Sequence, residues 1–316
     1  MPVTLEAAKQ NAVDDLDLAV INEFRTSTLL DHMVFDDAVN PIGGGGTLTY
    51  SYRRETALAE AAFRKFNTEY VPANLPPTSR HSVDLVPLGG SFEIDRVLAQ
   101  VGPARSNELA RNMSAKIQAA QALFAHTMIN GDSATIENSF DGLSKALSGS
   151  TTELLAGSDW SGAMNEEAAY SVMETVDALL DQLDGAPTMI VANRRVAGRI
   201  KAALRRTGQY TQTPGPLGTM RDYYGNIAVI DAGKQAGSNA DIIPVTDGTT
   251  DIYAVRVGLD GFHGVSMAGS PLINYWLPDF STAGAVKRGE VEMGPVAVAL
   301  KRTKAAAVAR NVRLAP

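Results

Sequence analysis

The four histidines are the first candidates for catalysis or metal binding. They are widely spaced, and none stands in an HExxH or HxH arrangement: His32, His81, His126 and His263. Cysteine is absent, which excludes disulfides, thiolate metal ligands and cysteine nucleophiles together. The sequence therefore predicts no metal site and no bound cofactor.

Three further motifs have a structural explanation. Four consecutive glycines stand before a predicted strand, with no GK[ST] after them, so a hinge is favoured over a phosphate-binding loop: Gly43, Gly44, Gly45 and Gly46. The serines within residues 157–162 do not form a GxSxG elbow. Glu166 and Glu167 stand at a predicted helix start, where carboxylates stabilise the helix dipole. No catalytic residue is predicted, and an enzyme is not expected.

Composition limits the class of protein. The chain has 316 residues, 45% apolar and 20% charged, so two domains or one elongated subunit with several lobes is expected. A net charge of -7 argues against a surface that neutralises many phosphates. The N-terminus is polar, and no apolar window approaches about twenty residues. We expect a soluble protein made in the cytoplasm.

The first 88 residues predict an arm followed by a ribbon. Helical spacing of apolar residues predicts one or two helices over 5–30. Residues 1–41 hold eight acids against Lys9 and Arg25, which fits either a solvated face or an arm lying on a basic neighbour. Alternation over 47–52 predicts a strand, and we interpret residues up to 88 as an extended β-ribbon with polar tips. Because an isolated hairpin is marginally stable, the ribbon should need a partner surface.

The rest of the chain predicts a long helix and an α/β region. Apolar residues recur every three or four positions from Pro103 to Gly131, which predicts a helix of roughly 40 Å. Later patterns predict a helix over 166–183, a strand over 188–192, a helix over 193–206 and strands near 227–230 and 252–257. The loop 207–218 is expected to be mobile when the subunit is alone. Strands are predicted over 272–277 and 290–300, followed by a polar, basic tail.

Short sequence motifs and the order of the elements together resemble a known family. The chain carries Leu29-Leu30-Asp31 before Phe35-Asp36-Asp37, a ribbon after the glycine run, and Ile129-Asn130-Gly131-Asp132 at the end of the long helix, followed by Gly142-Leu143. These elements, in this order and along essentially the whole chain, resemble the major capsid proteins of tailed bacteriophages with the Hong Kong 97-like fold.

The resemblance implies an α+β fold with four parts. These are an N-terminal arm (1–39), an extended loop (40–88), a peripheral domain with a long spine helix (89–132 and 261–316) and an axial α/β domain (133–260). It also implies hexamers and pentamers that form an icosahedral head around double-stranded DNA, which is bound non-specifically. The subunit would assemble in the bacterial host cytoplasm and reside in the virion. A portal is implied as a partner, a decoration protein is an open option, and no membrane partner is expected.

The arm, ribbon and tail carry the predicted contacts between subunits. Their charged side chains have no obvious partner within the chain: Asp36, Asp37, Arg53, Arg54, Arg64, Lys65 and Arg302. The four glycines would be the hinge on which arm and ribbon pivot during the expansion known in the family. Relatives with a built-in scaffold begin with a long helical segment; here the arm starts almost at Met1, so a separate scaffolding protein is expected.

Alternatives remain at this point. Some relatives join a loop lysine to an asparagine of a neighbour, and Lys65 with Asn274 or Asn311 would be the candidates, although no motif marks them. An encapsulin, which shares the fold but encloses cargo enzymes, is the main alternative function. A phage tail or decoration protein and a soluble α/β enzyme are the other two.

Overall fold

The computed structural model describes residues 29–40, 47–55, 59, 61–71, 77–97, 104–214, 220–238 and 240–314. The predicted N-terminal helix, except its last two residues, and the hinge at 43–46 lie outside this range. The first half contains one 3₁₀ turn, two helices and five strands: Leu29–His32, β1 (Phe35–Val39), β2 (Thr49–Glu55), β3 (Thr78–Asp84), β4 (Val86–Asp95), α1 (Ala104–Asn130), α2 (Leu143–Leu147) and β5 (Glu153–Leu155).

The second half alternates strands and helices before ending in strands alone. Its elements are α3 (Glu166–Leu180), β6 (Met189–Ala192), α4 (Arg194–Thr207), β7 (Thr211–Pro214), β8 (Met220–Tyr224), β9 (Ile227–Asp231), β10 (Thr249–Val255), β11 (Phe262–Met267), β12 (Ile273–Trp276), β13 (Val286–Leu300), a 3₁₀ turn (Thr303–Ala305) and β14 (Ala306–Arg313). No described helix is long and apolar enough to cross a membrane.

The first sheet is built around the long strand β13. Its order is β1-β11-β13-β12, and β4 also pairs with β13. One face packs against α1, because Phe92, Ile94 and Val291 meet a stripe of α1 that includes Met113 and Ile117. Helix α1 has 27 residues, so the predicted long helix is confirmed and spans about 40 Å.

The second sheet has seven strands in the order β5-β14-β10-β6-β9-β8-β7. Helices α3 and α4 share one apolar core with its central strands. The caps of α4 follow the sequence: the Asn193 side chain accepts a hydrogen bond from the amide of Val196 at 2.9 Å, and Gly208 ends the helix at φ 74°.

Two segments that were predicted without strands contain them. Residues Thr211–Pro214 form β7 and pair with β8, so part of the predicted loop 207–218 is a strand. The expected basic tail is β14, which pairs with β10 and β5, and Ala306, Ala307 and Val308 are fully buried. The sequence did not predict this strand, because its run of alanines has low β-propensity. By its pairing, β14 joins the strands of residues 133–260, whereas the sequence had placed it with 261–305.

The turn after α1 depends on two glycines. The Gly131 amide donates to the carbonyl of Thr127 at 2.7 Å, and the Gly142 amide donates to the carbonyl of Gly131 at 2.9 Å. A Cβ on Gly131 would lie 2.3 Å from the carbonyl oxygen of Phe140, and one on Gly142 would lie 2.5 Å from that of Thr127. The turn therefore has no room for a side chain at either position.

Charged groups hold the same turn from outside. The Lys145 ammonium lies 2.5 Å from Asp132 and 2.9 Å from Asp141. The hydrogen bond from Lys145 lowers the pKa of Asp132 to about 2, with help from the Thr135 hydroxyl. The Asn-Gly-Asp and Gly-Leu motifs, which carry part of the resemblance, both lie in this turn. The geometry shows that their glycines are needed for packing.

Candidate functional site

The predicted ribbon is present as the antiparallel pair β2 and β3, in register from Thr49 opposite Asp84 to Glu55 opposite Thr78. Side chains alternate between its two faces. Tyr50, Tyr52 and Val83 pack against the main core, whereas Arg53 and Arg80 lie opposite each other on the exposed face. The base of the ribbon thus finds part of its partner surface within its own chain.

Arg54 and Tyr52 fix the base of the ribbon to the end of β13. The Tyr52 hydroxyl donates to the carbonyl of Leu300 at 2.8 Å, and Arg54 Nε donates to the carbonyl of Lys301 at 2.9 Å. A second guanidinium nitrogen of Arg54 also donates to the carbonyl of Leu300. Burial raises the pKa of the Tyr52 phenol. The expectation that Arg54 has no partner within the chain was wrong.

Asp36 and Asp37 are likewise bonded within the chain. Strand β1, which contains them, pairs in parallel with β11, because Phe35 and Val39 supply apolar side chains to the core. The Tyr50 hydroxyl donates to Asp36 at 3.1 Å, and the Ser266 hydroxyl donates to Asp37. These two carboxylates therefore have internal partners, contrary to the sequence-based expectation.

A buried histidine lies beneath the ribbon. The His263 ring is fully buried in β11 and meets the ring of Tyr50 edge to face at 5.9 Å between centroids. The Lys301 ammonium lies over the same Tyr50 ring, 5.5 Å from its centroid. Burial lowers the pKa of His263, and the charge of Lys301 lowers it further. The sequence offered no signal for this position, since a lone histidine in an apolar strand is usually a packing residue.

The far end of the ribbon carries exposed apolar side chains beside the polar ones that the sequence predicts. Phe63 is fully exposed, Phe66 is 94% exposed and Val71 is 90% exposed. Tyr70 is also exposed and lies under the Arg64 guanidinium, 5.5 Å from ring centroid to carbon. We call residues 61–71 the tip. Aromatic side chains so fully hydrated are typical of a binding surface.

The remaining predicted contact residues are exposed. Arg64 donates to the carbonyls of Lys65 and Thr68, both at 3.3 Å, and Lys65 is exposed beside it. Arg302 lies 3.5 Å from Asp184, with both side chains more than half exposed. The Arg53 side chain has no hydrogen bond or ion pair to the described part of the chain. The structure thus brings Arg64 and Lys65 together at the tip, and leaves Arg53 and Arg302 apart from them.

The described residues offer little for catalysis. No group of three or more histidine, aspartate or glutamate side chains among them could hold a metal ion. One open cavity of about 390 Å³ is lined by Arg195, Asp241, Pro244, Val245 and Gly248, and Asp241 forms an ion pair with Lys234 at 2.9 Å. This lining pairs no nucleophile with a base.

Solved structures that resemble the chain include capsids and an encapsulin complex. No family model and no curated protein matches the chain. The chain is similar to the holo-SrpI encapsulin complex from Synechococcus elongatus PCC 7942, with 14% identity, 99% and 97% of the two chains covered and a TM-score of 0.63. It is similar to the capsid of an empty GTA particle, with 14% identity, 98% of each chain covered and a TM-score of 0.61. It is similar to a chain in the structure of Mycobacterium phage Bobi, with 10% identity, 99% of each chain covered and a TM-score of 0.60. The chain therefore has the α+β fold of these shell subunits, the Hong Kong 97-like fold that the sequence predicted.

Proposed function

We propose that this chain is the major capsid protein of a tailed bacteriophage, which assembles as hexamers and pentamers into an icosahedral head around double-stranded DNA. The observation that carries the proposal is the extent of the structural match. Structures of GTA and phage capsids, and further phage structures, cover 95–99% of this chain, and this chain covers 95–99% of theirs. A match over nearly the whole length of both chains supports the same architecture for this subunit.

The tip supports this proposal on physical grounds. Burying a phenylalanine side chain contributes about 1.5–3 kcal/mol, and the subunit alone leaves Phe63 and Phe66 in water. A second subunit that covers the tip would recover this free energy at every contact in the shell. The proposed role is structural, and we assign no catalytic activity to the chain.

The partners and location follow from the proposed role. The subunit would assemble in the cytoplasm of its bacterial host, with a separate scaffolding protein and a portal, and it would end in the virion. The hinge at 43–46, outside the described residues, remains a proposal. So do the four domain ranges.

An encapsulin shell is the second candidate, because the encapsulin complex has a TM-score of 0.63, which is as high as those of the capsids. The two candidates differ in contents. Particles isolated from their natural source should contain double-stranded DNA and carry a portal if the capsid proposal is right. Particles that hold a protein cargo and no DNA would favour the encapsulin.

Electron microscopy of the expressed chain tests the proposal directly. We expect closed icosahedral particles when the full chain is expressed alone or with its scaffolding protein, because the tip and the ribbon need a neighbouring copy. Rings or tubes would favour a tail protein instead. Folded monomers under all these conditions would overturn the proposal.

Charge reversal should have different effects at the two adjacent ribbon arginines, Arg53 and Arg54. Arg53→Glu alters only the exposed face, so the subunit should stay folded while each contact weakens by up to about 1 kcal/mol, or about fivefold in its equilibrium constant. Arg54→Glu should instead loosen the base of the ribbon, because the Lys301 carbonyl loses its side-chain donor and the Leu300 carbonyl keeps only the Tyr52 hydroxyl. Sedimentation measures particle yield, and circular dichroism measures folding. Arg53→Lys is the matched control, and an unchanged yield for Arg53→Glu would remove Arg53 from the contact set.

A further inference from the structure

Helix α3 presents an acidic ridge to solvent. Four exposed carboxylates on the helix or directly after it have no hydrogen bond or ion pair to any described residue: Glu166, Glu167, Glu174 and Asp181. A fifth, Asp177, accepts a hydrogen bond from the Tyr224 hydroxyl. Glu167, Glu174 and Asp181 are spaced by seven residues, so they form one stripe along the helix. Tyr170 lies on the same side and is 52% exposed. We call the four unpaired carboxylates and Tyr170 the acidic ridge.

Helix α4 is the opposite in charge. Six of its fourteen residues are basic, and none is acidic. Three of the six are used within the chain. Arg199 donates to the carbonyls of Ser161 and Gly162, both at 2.8 Å, Lys201 pairs with Asp222 at 3.0 Å, and Arg205 lies over the Tyr210 ring at 5.0 Å.

The other three cations of α4 stand at its two ends, and we call them the basic ridge: Arg194 and Arg195 in the first turn and Arg206 in the last turn. Their side chains are exposed and have no hydrogen bond or ion pair within the described part of the chain. Helices α3 and α4 pack side by side on the same face of the second sheet. Even so, no described ion pair joins the acidic ridge to the basic ridge. Each ridge is therefore available to a partner of the opposite charge.

A second copy of this chain fits both ridges at once. We infer that the acidic ridge of one copy receives the basic ridge of the next, and that this contact repeats around each ring of the shell. Because the two surfaces differ, the contact is head to tail, and such contacts close into rings when the rotation permits. The inference rests on the proposed function, and it names the pair of surfaces that would define the ring.

The alternative partner for the basic ridge is DNA, and the charge distribution opposes it. A DNA duplex lying on α4 would also face the neighbouring α3, whose four unpaired carboxylates repel phosphates. A neighbouring subunit has no such conflict, because it offers an acidic surface to α4 and a basic surface to α3. Charge complementarity of this kind mainly sets partner choice and orientation.

Charge reversal in the full chain tests the inference. Arg195→Glu with Arg206→Glu should lower particle yield at least about tenfold, since like charges would then face each other at every ring contact. Glu167→Arg with Glu174→Arg should give a similar loss. The chain that carries all four substitutions should regain most of the wild-type yield, because the two ridges are again complementary.

Controls keep the outcomes distinct. Arg195→Lys with Arg206→Lys preserves the charge and should assemble normally, and circular dichroism checks that each variant is folded. Should a reversed pair fail to fold, Arg195→Gln with Arg206→Gln gives the same comparison, with a smaller loss expected. Co-expression of the two reversed pairs should favour rings with an even number of subunits, in which the two chains alternate.

Three results would overturn the inference. The first is normal particles from both reversed pairs. The second is a folded four-substitution chain whose yield stays as low as that of the pairs. The third is normal particles with reduced DNA content from Arg195→Glu with Arg206→Glu, which would assign the basic ridge to DNA. In each case the wild-type chain still forms shells, whereas a wild-type chain that forms none would overturn the proposed function itself.

Discussion

Replacing Phe63 and Phe66 by serine is expected to abolish particle formation while leaving a folded, soluble subunit. Both rings are exposed in the single chain and make no contribution to its core, so their loss should not alter the free energy of unfolding. In a shell that covers the tip, each contact would lose about 3–6 kcal/mol, from about 1.5–3 kcal/mol for each ring. Sedimentation and electron microscopy should show subunits or small oligomers only.

The control for this experiment keeps the apolar surface. Phe63→Leu with Phe66→Leu should retain most of the particles, because leucine buries a similar apolar area. Thermal unfolding should be the same for the serine and leucine pairs. Shells of normal yield and stability from the serine pair would show that no neighbouring copy covers the tip.

The second large effect is expected on folding. Gly131→Ala and Gly142→Ala should each destabilise the subunit by about 3 kcal/mol or more, at the upper end of what overpacking costs. The added methyl group would stand within 2.3–2.5 Å of carbonyl oxygens, and backbone atoms cannot move aside as a flexible side chain can. Because domains are stable by only about 5–15 kcal/mol, we expect a lower urea midpoint and a lower soluble yield.

A glycine in open space provides the comparison. Gly198 lies in α4, and nothing stands within 4 Å of the place where its Cβ would be. Gly198→Ala should therefore raise stability by about 0.5–1 kcal/mol, as expected for an exposed helical site. Equal urea midpoints for the wild type and the Gly131→Ala chain would contradict the packing role of the turn.

The parts of the fold with strong periodicity could be predicted from the sequence. Helix α1 has apolar residues at regular helical spacing, and α4 has an asparagine cap and a terminal glycine. Strand β14 could not be predicted, because its alanines carry no period-two signal and its burial depends on β10 and β5. Its Arg310 suggested a basic surface, yet the guanidinium pairs with Glu153 and with Asp251 at 2.8 Å.

The residues proposed to contact other subunits could be predicted less completely than the fold. Charge in the ribbon drew attention to Arg53, Arg54, Arg64 and Lys65, but charge alone cannot tell which face of a strand a residue occupies relative to the core. Strand alternation puts Arg53 outside and Arg54 inside. The sequence does not mark the phenylalanines at the tip, because two aromatic residues in an irregular segment give no periodic signal. Only the structure shows that they are exposed.

Strand β14 also has a consequence for the time course of synthesis. The second sheet cannot close until residues 306–313 have left the ribosome, since β14 lies between β5 and β10, whose residues are made long before it. The first sheet also forms late in synthesis, because β4 pairs with β13, which follows it by about 200 residues. Pairings at such separations make folding slow. A nascent or truncated chain would therefore lack both finished sheets, and interrupted translation products would be kept out of an assembling shell.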